Sequence, residues 1–192
     1  IGASGRYSDV EATQAALRKA KPRLTLDLCG IAKGYALDQI VWVLEDLGIS
    51  SALVELGGEV RALGHHPSGR AWQVAIADPS IPDFRAYRIV TPGELALATS
   101  GHSSNGLLGP VSTSHIVNPH SGRSAQTTLA SVSVLAPSAM QADAFATALC
   151  AVGPEAGPPL ARALGLSALF IFGTGATAPE IVTGAFARHI LT

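Results

Sequence analysis

The stretch Ser51-Ala-Leu-Val-Glu-Leu-Gly-Gly-Glu-Val-Arg-Ala-Leu63 sets the fold class. Ser51 to Leu56 is a β-rich run closed by Gly57-Gly58, and Val60 to Leu63 follows at once as a second strand. Trp72 to Ala77 and Tyr87 to Val90 continue the series between Gly and Pro turns, with no helical period among them. Strands that succeed one another without helices imply antiparallel order, because a parallel pair needs a long crossover. Further along, Glu94 to Thr99 leads into a polar loop, Ser100 to Ser112. Ser131 to Leu135 and Ala168 to Phe172 are further strands, and Ile181 to Thr183 reads as an edge strand.

Helices bracket this series. Leu24-Thr-Leu-Asp-Leu28 alternates like a half-buried strand and Gly30 ends it. After it, Ala36, Ile40, Val43, Leu44 and Leu47 recur at three- and four-residue steps, and Gly48 stands where a left-handed cap stops a helix. Pro137-Ser138 followed by Gln141 starts a second, Ala-rich helix that reaches Val152 and stops at Gly153, with a short helix from Glu155 to Leu164 beyond. Tyr7 to Ala20 is open on its own residues. Ser8 with Glu11 fits a capping box, while Val10-Glu-Ala-Thr and Leu17-Arg-Lys fit short strands.

The composition excludes several classes. Of 192 residues, 47% are apolar and 14% charged, which is enough to bury one sizeable core, so one domain over residues 1–192 is expected. The net charge is −1 and the 13 Lys and Arg are scattered, so the basic stripe that phosphate-backbone binding needs is missing and nucleic acid is not expected as a partner. No apolar run is long enough for a transmembrane segment. Cys29 and Cys150 lie far apart with no ligand-type neighbour, which fits two small buried thiols rather than a zinc knuckle or a disulfide framework.

Three groups could carry chemistry. Asp143 and Thr147 are four residues apart on the expected helix, so a carboxylate and a hydroxyl share one face. Two hard oxygens of that kind suit Mg²⁺, whose coordination is often completed by substrate phosphates. A Thr bonding back to a helix carbonyl is the structural alternative. Asp27-Leu-Cys-Gly-Ile-Ala-Lys-Gly34 brings a strand, small residues and a helix start together. Backbone N–H groups there, with Lys33, suit an anionic group, although the spacings of a Walker loop and of a dinucleotide fingerprint are both absent. His115, before the turn Asn118-Pro-His-Ser-Gly122, can take a proton from an alcohol near neutral pH. His65-His66 is a poor metal pair, since neighbours on a strand point to opposite faces.

Taken in order, five blocks resemble the ApbE family in sequence and separation. They are Leu26-Asp-Leu-Cys-Gly-Ile-Ala-Lys-Gly-Tyr-Ala-Leu-Asp38, Glu55-Leu-Gly-Gly-Glu59, Ala98-Thr-Ser-Gly101, His115-Ile-Val-Asn-Pro119, and Ala142-Asp-Ala-Phe-Ala-Thr-Ala-Leu149. The resemblance covers nearly the whole chain. It implies an α+β, T-fold-like architecture, mainly antiparallel sheet with packed helices, and turns Tyr7 to Ala20 into extended strands. It further implies an FAD:protein FMN transferase that cleaves FAD, attaches FMN through a phosphoester to a Thr or Ser of an acceptor protein, releases AMP and needs Mg²⁺. FAD pyrophosphatase activity giving FMN and AMP is the alternative within the family, and a noncatalytic flavin- or metal-binding module the alternative outside enzymes.

Carried over position by position, the resemblance puts metal ligands at the Gly30 carbonyl, Asp143 and Thr147. Flavin-nucleotide contacts fall at Asp27, Lys33 and Val117, and the base at His115. Gly57 and Gly58 match paired glycines whose work is a turn or a close backbone approach. The family's N-terminal Thr-Asp-Gly block does not precede Ile1, so the expected fold is the family fold without its N-terminal portion. Cys29, Asn118 and the loop from His102 to Leu108 depart from the common pattern. The family is often exported, so a bacterial periplasmic or lipoprotein location is expected, although no signal peptide or lipobox Cys is visible in these residues.

Overall fold

The computed structural model describes residues 7–79, 85–102, 114–118, 121–125, 128–173 and 177–191. In chain order the elements are β1 (Val10–Ala12), β2 (Leu17–Lys19), α1 (Ala32–Asp46), β3 (Ala52–Leu56), β4 (Glu59–Leu63), β5 (Val74–Ala77), β6 (Ala86–Val90) and β7 (Ala96–Gly101). They continue with β8 (Val117–Asn118), β9 (Arg123–Ser124), β10 (Leu129–Ala136), α2 (Ala139–Ala163), β11 (Ser167–Phe172) and β12 (Glu180–Thr183). Short 3₁₀ turns lie at Tyr7–Asp9 and Phe186–His189.

The frame is a six-stranded sheet in the order β12-β11-β10-β7-β4-β3, with every neighbouring pair antiparallel. The α+β class and the antiparallel order read from the strand run are therefore observed, and β12 lies at one edge as expected. β1 pairs with β2, so the segment that could have been a helix is extended. Helices α1 and α2 cover one face of the sheet, where Leu37, Val41, Leu129, Val132, Val134, Leu149 and Phe170 form the main core. The β5–β6 hairpin and Phe186 cover part of the other face with Leu97, Leu135 and Leu169. Both faces of β10 are thus covered, and all eight of its residues are buried.

Local chemistry explains the element ends. At the β3–β4 turn Leu56 faces Glu59, leaving Gly57 (φ 63°) and Gly58 (φ 98°) as a two-residue connection with both central residues in the left-handed region. Only glycine enters that turn without steric cost, and its twist matches the strands. Gly48 ends α1 as expected: its N–H bonds the Glu45 carbonyl and the Ile49 N–H bonds the Leu44 carbonyl, the paired bonds of a Schellman stop. Ser138 caps α2, its hydroxyl accepting from the Gln141 N–H at 3.2 Å. The Ala-rich helix and the following short helix meet at Gly153, which is non-helical (φ 90°, ψ −174°).

Three expectations are corrected. Leu24 to Leu28 is not a strand: Leu24 is buried, but Leu26 and Leu28 are 49% and 60% exposed, and no named strand includes them. Pairing stops after the single β-bridge at Leu24, and an alternating pattern specifies a strand only where a ladder continues along it. The inward stripe of α1 is Gly34, Leu37 and Val41, not Ile40, Val43 and Leu47, which are exposed together with Trp42. This helix is apolar on several faces, so periodicity alone could not choose between them. Ser100 and Gly101 extend β7 rather than opening the loop. The remainder of that loop, 103–112, and Pro119 lie outside the described residues.

Candidate active site at the start of two helices

The two helices are docked so that each supplies what the other's N-terminus lacks. Ile31, before α1, makes no side-chain cap; instead Asp143 Oδ2, on α2, accepts from the Gly34 N–H at 3.0 Å. In return Asp38, on α1, accepts from the Ala139 and Met140 N–H groups at 2.8 and 2.9 Å and from Arg61 at 2.6 Å. The first N–H groups of a helix have no intrahelical acceptor, so a carboxylate placed there is favoured by hydrogen bonding and by the helix dipole. Such an exchange needs near contact between backbones. A Cβ on Gly34 would come within 2.2 Å of the Ala139 carbonyl oxygen.

A cleft of about 1300 Å³ opens beside this junction. Asp27, Gly30, Lys33, Gly57, Gly58, His115, Val117 and Thr147 all line it, so sequence blocks far apart in the chain converge on one wall. Asp143 is the exception among the expected site residues. It is 1% exposed and lies behind Lys33, whose Nζ is 3.5 Å from its Oδ1. Gly30 packs directly on Thr147: a Cβ there would meet Thr147 Cγ2 at 2.8 Å and Oγ1 at 3.1 Å. Ser100, from the end of β7, bonds Thr147 Oγ1 at 3.0 Å and holds its rotamer. Asp27 folds back on its own turn, accepting from the Cys29 N–H at 2.9 Å.

Glu59 belongs to this group although no role was expected for it. It opens β4 directly after the glycine turn, is 2% exposed, and takes a 2.7 Å bond from Lys33. Its flanking residues do not mark it: the alternation Glu59, Arg61, Leu63 puts it on a face shared with an arginine, and its burial comes with the contact to Lys33. Burial pulls the Lys33 ammonium down, but Glu59 and Asp143 more than offset this and leave its pKa above the ordinary lysine value. For Glu59, burial pushes the carboxyl up and Lys33 only partly reverses it. The Cys29 N–H and thiol hold Asp27 below the usual range, and Asp27 in turn pushes the Cys29 thiol up.

The donors fit a hard divalent cation. Among the described residues no three His, Cys, Asp or Glu side chains are clustered as a metal site. The candidate donor set is one carboxylate, one hydroxyl and one backbone carbonyl, all oxygen, which is the type Mg²⁺ accepts when phosphates and water complete its shell. Lys33 beside Asp143 Oδ1 marks that point as a place for positive charge. The two thiols are free, but only Cys150 is buried as expected; Cys29 is exposed in the turn before α1, which faces solvent rather than the core. No described helix is long and apolar enough to cross a membrane.

The family model described as the ApbE family matches residues 3–170. The chain belongs to the ApbE family. It is 37% identical to the FAD:protein FMN transferase of Vibrio cholerae over 171 residues, covering 88% of this chain and 51% of that protein. The solved structure of the flavin transferase ApbE from Vibrio cholerae superposes with a TM-score of 0.83 at 35% identity, covering 97% of this chain and 59% of that one. The apo flavinyl transferase ApbE of Pseudomonas stutzeri gives a TM-score of 0.80 at 35% identity, with 95% and 56% covered. The ApbE architecture expected from the five blocks is thereby established, and the chain spans about half the length of the curated ApbE relatives it matches.

Proposed function

We propose that this chain carries the Mg²⁺- and flavin-handling part of an FAD:protein FMN transferase, with Gly30, Asp143 and Thr147 holding the ion. The observation that carries the reading is the packing of Gly30 on Thr147 beside the Asp143–Lys33 pair, at the head of a cleft lined by the remaining candidates. Its relatives' names, FAD:protein FMN transferase, support the same chemistry.

In this reading the hydroxyl oxygen of an acceptor Thr or Ser attacks the FMN phosphorus of FAD. The new P–O bond forms as the pyrophosphate P–O bond breaks, AMP leaves with that electron pair, and His115 receives the hydroxyl proton. Phosphoryl transfer asks little covalent chemistry of the protein and mostly positioning and charge stabilisation. Lys33 and the N-terminal turn of α1 bind the anionic phosphates, Asp27 and Val117 line the nucleotide's path, and the Gly57-Gly58 turn lets backbone approach where a side chain would stand. Bound Mg²⁺ would neutralise charge on the pyrophosphate oxygens. A general base of this kind contributes on the order of 10²–10⁴-fold.

Exposure of His115 on the cleft wall also admits water in place of the acceptor hydroxyl, which makes FAD hydrolysis the second reading. Incubation with FAD, Mg²⁺ and a Ser/Thr-containing peptide separates the outcomes. A flavin-labelled peptide with AMP supports transfer, free FMN with AMP supports hydrolysis, and unreacted FAD overturns both.

A further inference from the structure

Lys33 sits between two buried acids, and the three groups are unequally satisfied. Its ammonium is 2.7 Å from Glu59 Oε1 and 3.5 Å from Asp143 Oδ1, while Glu59 and Asp143 are 2% and 1% exposed. Asp143 has committed Oδ2 to the Gly34 N–H, so Oδ1 is the oxygen left for a cation, and Lys33 leans on it. Lys33 also lines the cleft that Asp143 does not reach. A divalent ion arriving at Oδ1 therefore meets a resident ammonium, and two cations cannot share that oxygen without strong repulsion.

Glu59 is built to receive the displaced charge. Its second oxygen, Oε2, is buried without a hydrogen-bond partner, so it has acceptor capacity that nothing uses. The glycine turn roofs the pair closely: a Cβ on Gly57 would stand 3.0 Å from Lys33 Cδ and 3.6 Å from Glu59 Oε2. An unsatisfied buried carboxylate oxygen is costly, and moving the ammonium onto both oxygens of Glu59 would remove that cost.

We propose that Glu59 is a positioning residue that draws Lys33 off Asp143 Oδ1 and so opens that oxygen to the divalent cation. This rests on the metal site proposed above. Without the Glu59 charge, Lys33 collapses onto Asp143 and competes with the ion for it.

The test is direct Mn²⁺ binding to this chain, followed by electron paramagnetic resonance of the free ion, for wild type, Glu59→Gln, Lys33→Met and the double variant. Glu59→Gln is expected to weaken binding by about tenfold, a coupling ordinary for residues in contact. Lys33→Met should strengthen binding far more in the Glu59→Gln background than in wild type. Equal effects of Lys33→Met in both backgrounds would mean Glu59 acts only as a remote charge, and the inference is then lost. If Glu59→Gln does not fold by circular dichroism, Glu59→Asp keeps the charge but retracts it, and wild-type affinity in that variant overturns the inference too. A wild-type chain that takes up no Mn²⁺ sinks the metal site and this inference together; a wild type that binds while Glu59→Gln binds equally well sinks the inference alone.

Discussion

Asp143 and Gly34, 109 residues apart, are joined by a 3.0 Å hydrogen bond from the backbone N–H of one helix start to the side chain of the other helix. The carboxylate at the centre of the proposed ion site is therefore also a helix cap. Removing it does two things at once, and substitutions separate them. Asp143→Ala leaves a buried N–H unpaired and should cost about 1–3 kcal/mol of stability besides any loss of ion binding. Asp143→Asn keeps an acceptor for Gly34, so it should lose Mg²⁺-dependent FAD turnover with a smaller fall in Tm. Unchanged turnover in Asp143→Asn would remove Asp143 from the site.

Gly34→Ala places a Cβ 2.2 Å from the Ala139 carbonyl oxygen, a backbone atom that cannot swing aside. The helices must separate, and the reciprocal caps with them. A loss of about 3 kcal/mol in urea unfolding is expected, at the upper end of overpacking costs. A variant as stable as wild type would show that the junction is looser than described.

Gly30→Ala is a sharper probe of the site than of the fold. Gly30 does not occupy the left-handed region, so its backbone accepts alanine, and the new Cβ presses on Thr147 at 2.8 Å. Thr147 is β-branched and bonded to Ser100, so it has little room to rotate. Mn²⁺ affinity should fall about tenfold or more, the range seen when a ligand's supporting contacts are disturbed, with a proportionately smaller loss of stability. An equal fall in both would recast Gly30 as a packing residue.

Glu59 gives stability a signed dependence on pH. Its folded pKa is raised above the ordinary value of 4.5, so between that value and the folded one the native state holds more protons than the unfolded chain. Stability then falls as pH rises through this window. The stability of wild type minus that of Glu59→Gln, measured by urea unfolding from pH 4.5 to 7.5, should decrease with rising pH. Lys33 works in the same ion pair at the alkaline end, its contribution intact below 10.5 and lost as pH climbs through its raised folded value. A difference that grows with pH would contradict the burial of Glu59.

Among the two thiols only Cys29 is exposed, and Asp27 pushes its pKa up, while burial pushes Cys150 up to about 12. The thiolate is the reactive species. Asp27→Asn should therefore speed alkylation of Cys29 by iodoacetamide at pH 8, with Cys150 silent in both proteins. Equal rates would show that the Asp27 turn does not persist in solution.

Much of this was legible in the residues, for identifiable reasons. Gly57-Gly58, Gly48 and the Ser138 cap each carry a local rule that needs no tertiary information, and the structure follows all three. The convergence of Gly30, Lys33, His115 and Thr147 on one cleft came from the family resemblance, because spacing says nothing of distance between blocks. What failed depended on partners. Leu24 to Leu28 alternates, yet only Leu24 makes a β-bridge and is buried, and Ile40, Val43 and Leu47 share a period with the buried Leu37 and Val41. The role of Glu59 is not legible in its sequence neighbours, because burial of an acid beside a lysine 26 residues away is a contact, not a pattern.

Strands β4, β7 and β10 are direct neighbours, yet the chain leaves the sheet between each pair and returns. The first excursion holds the β5–β6 hairpin and the second holds His115 and Val117, and both contribute to the cleft wall. The six-stranded sheet includes none of the strands in these excursions. Insertions or substitutions in these excursions can therefore reshape the ligand-facing wall while the load of folding stays on the sheet.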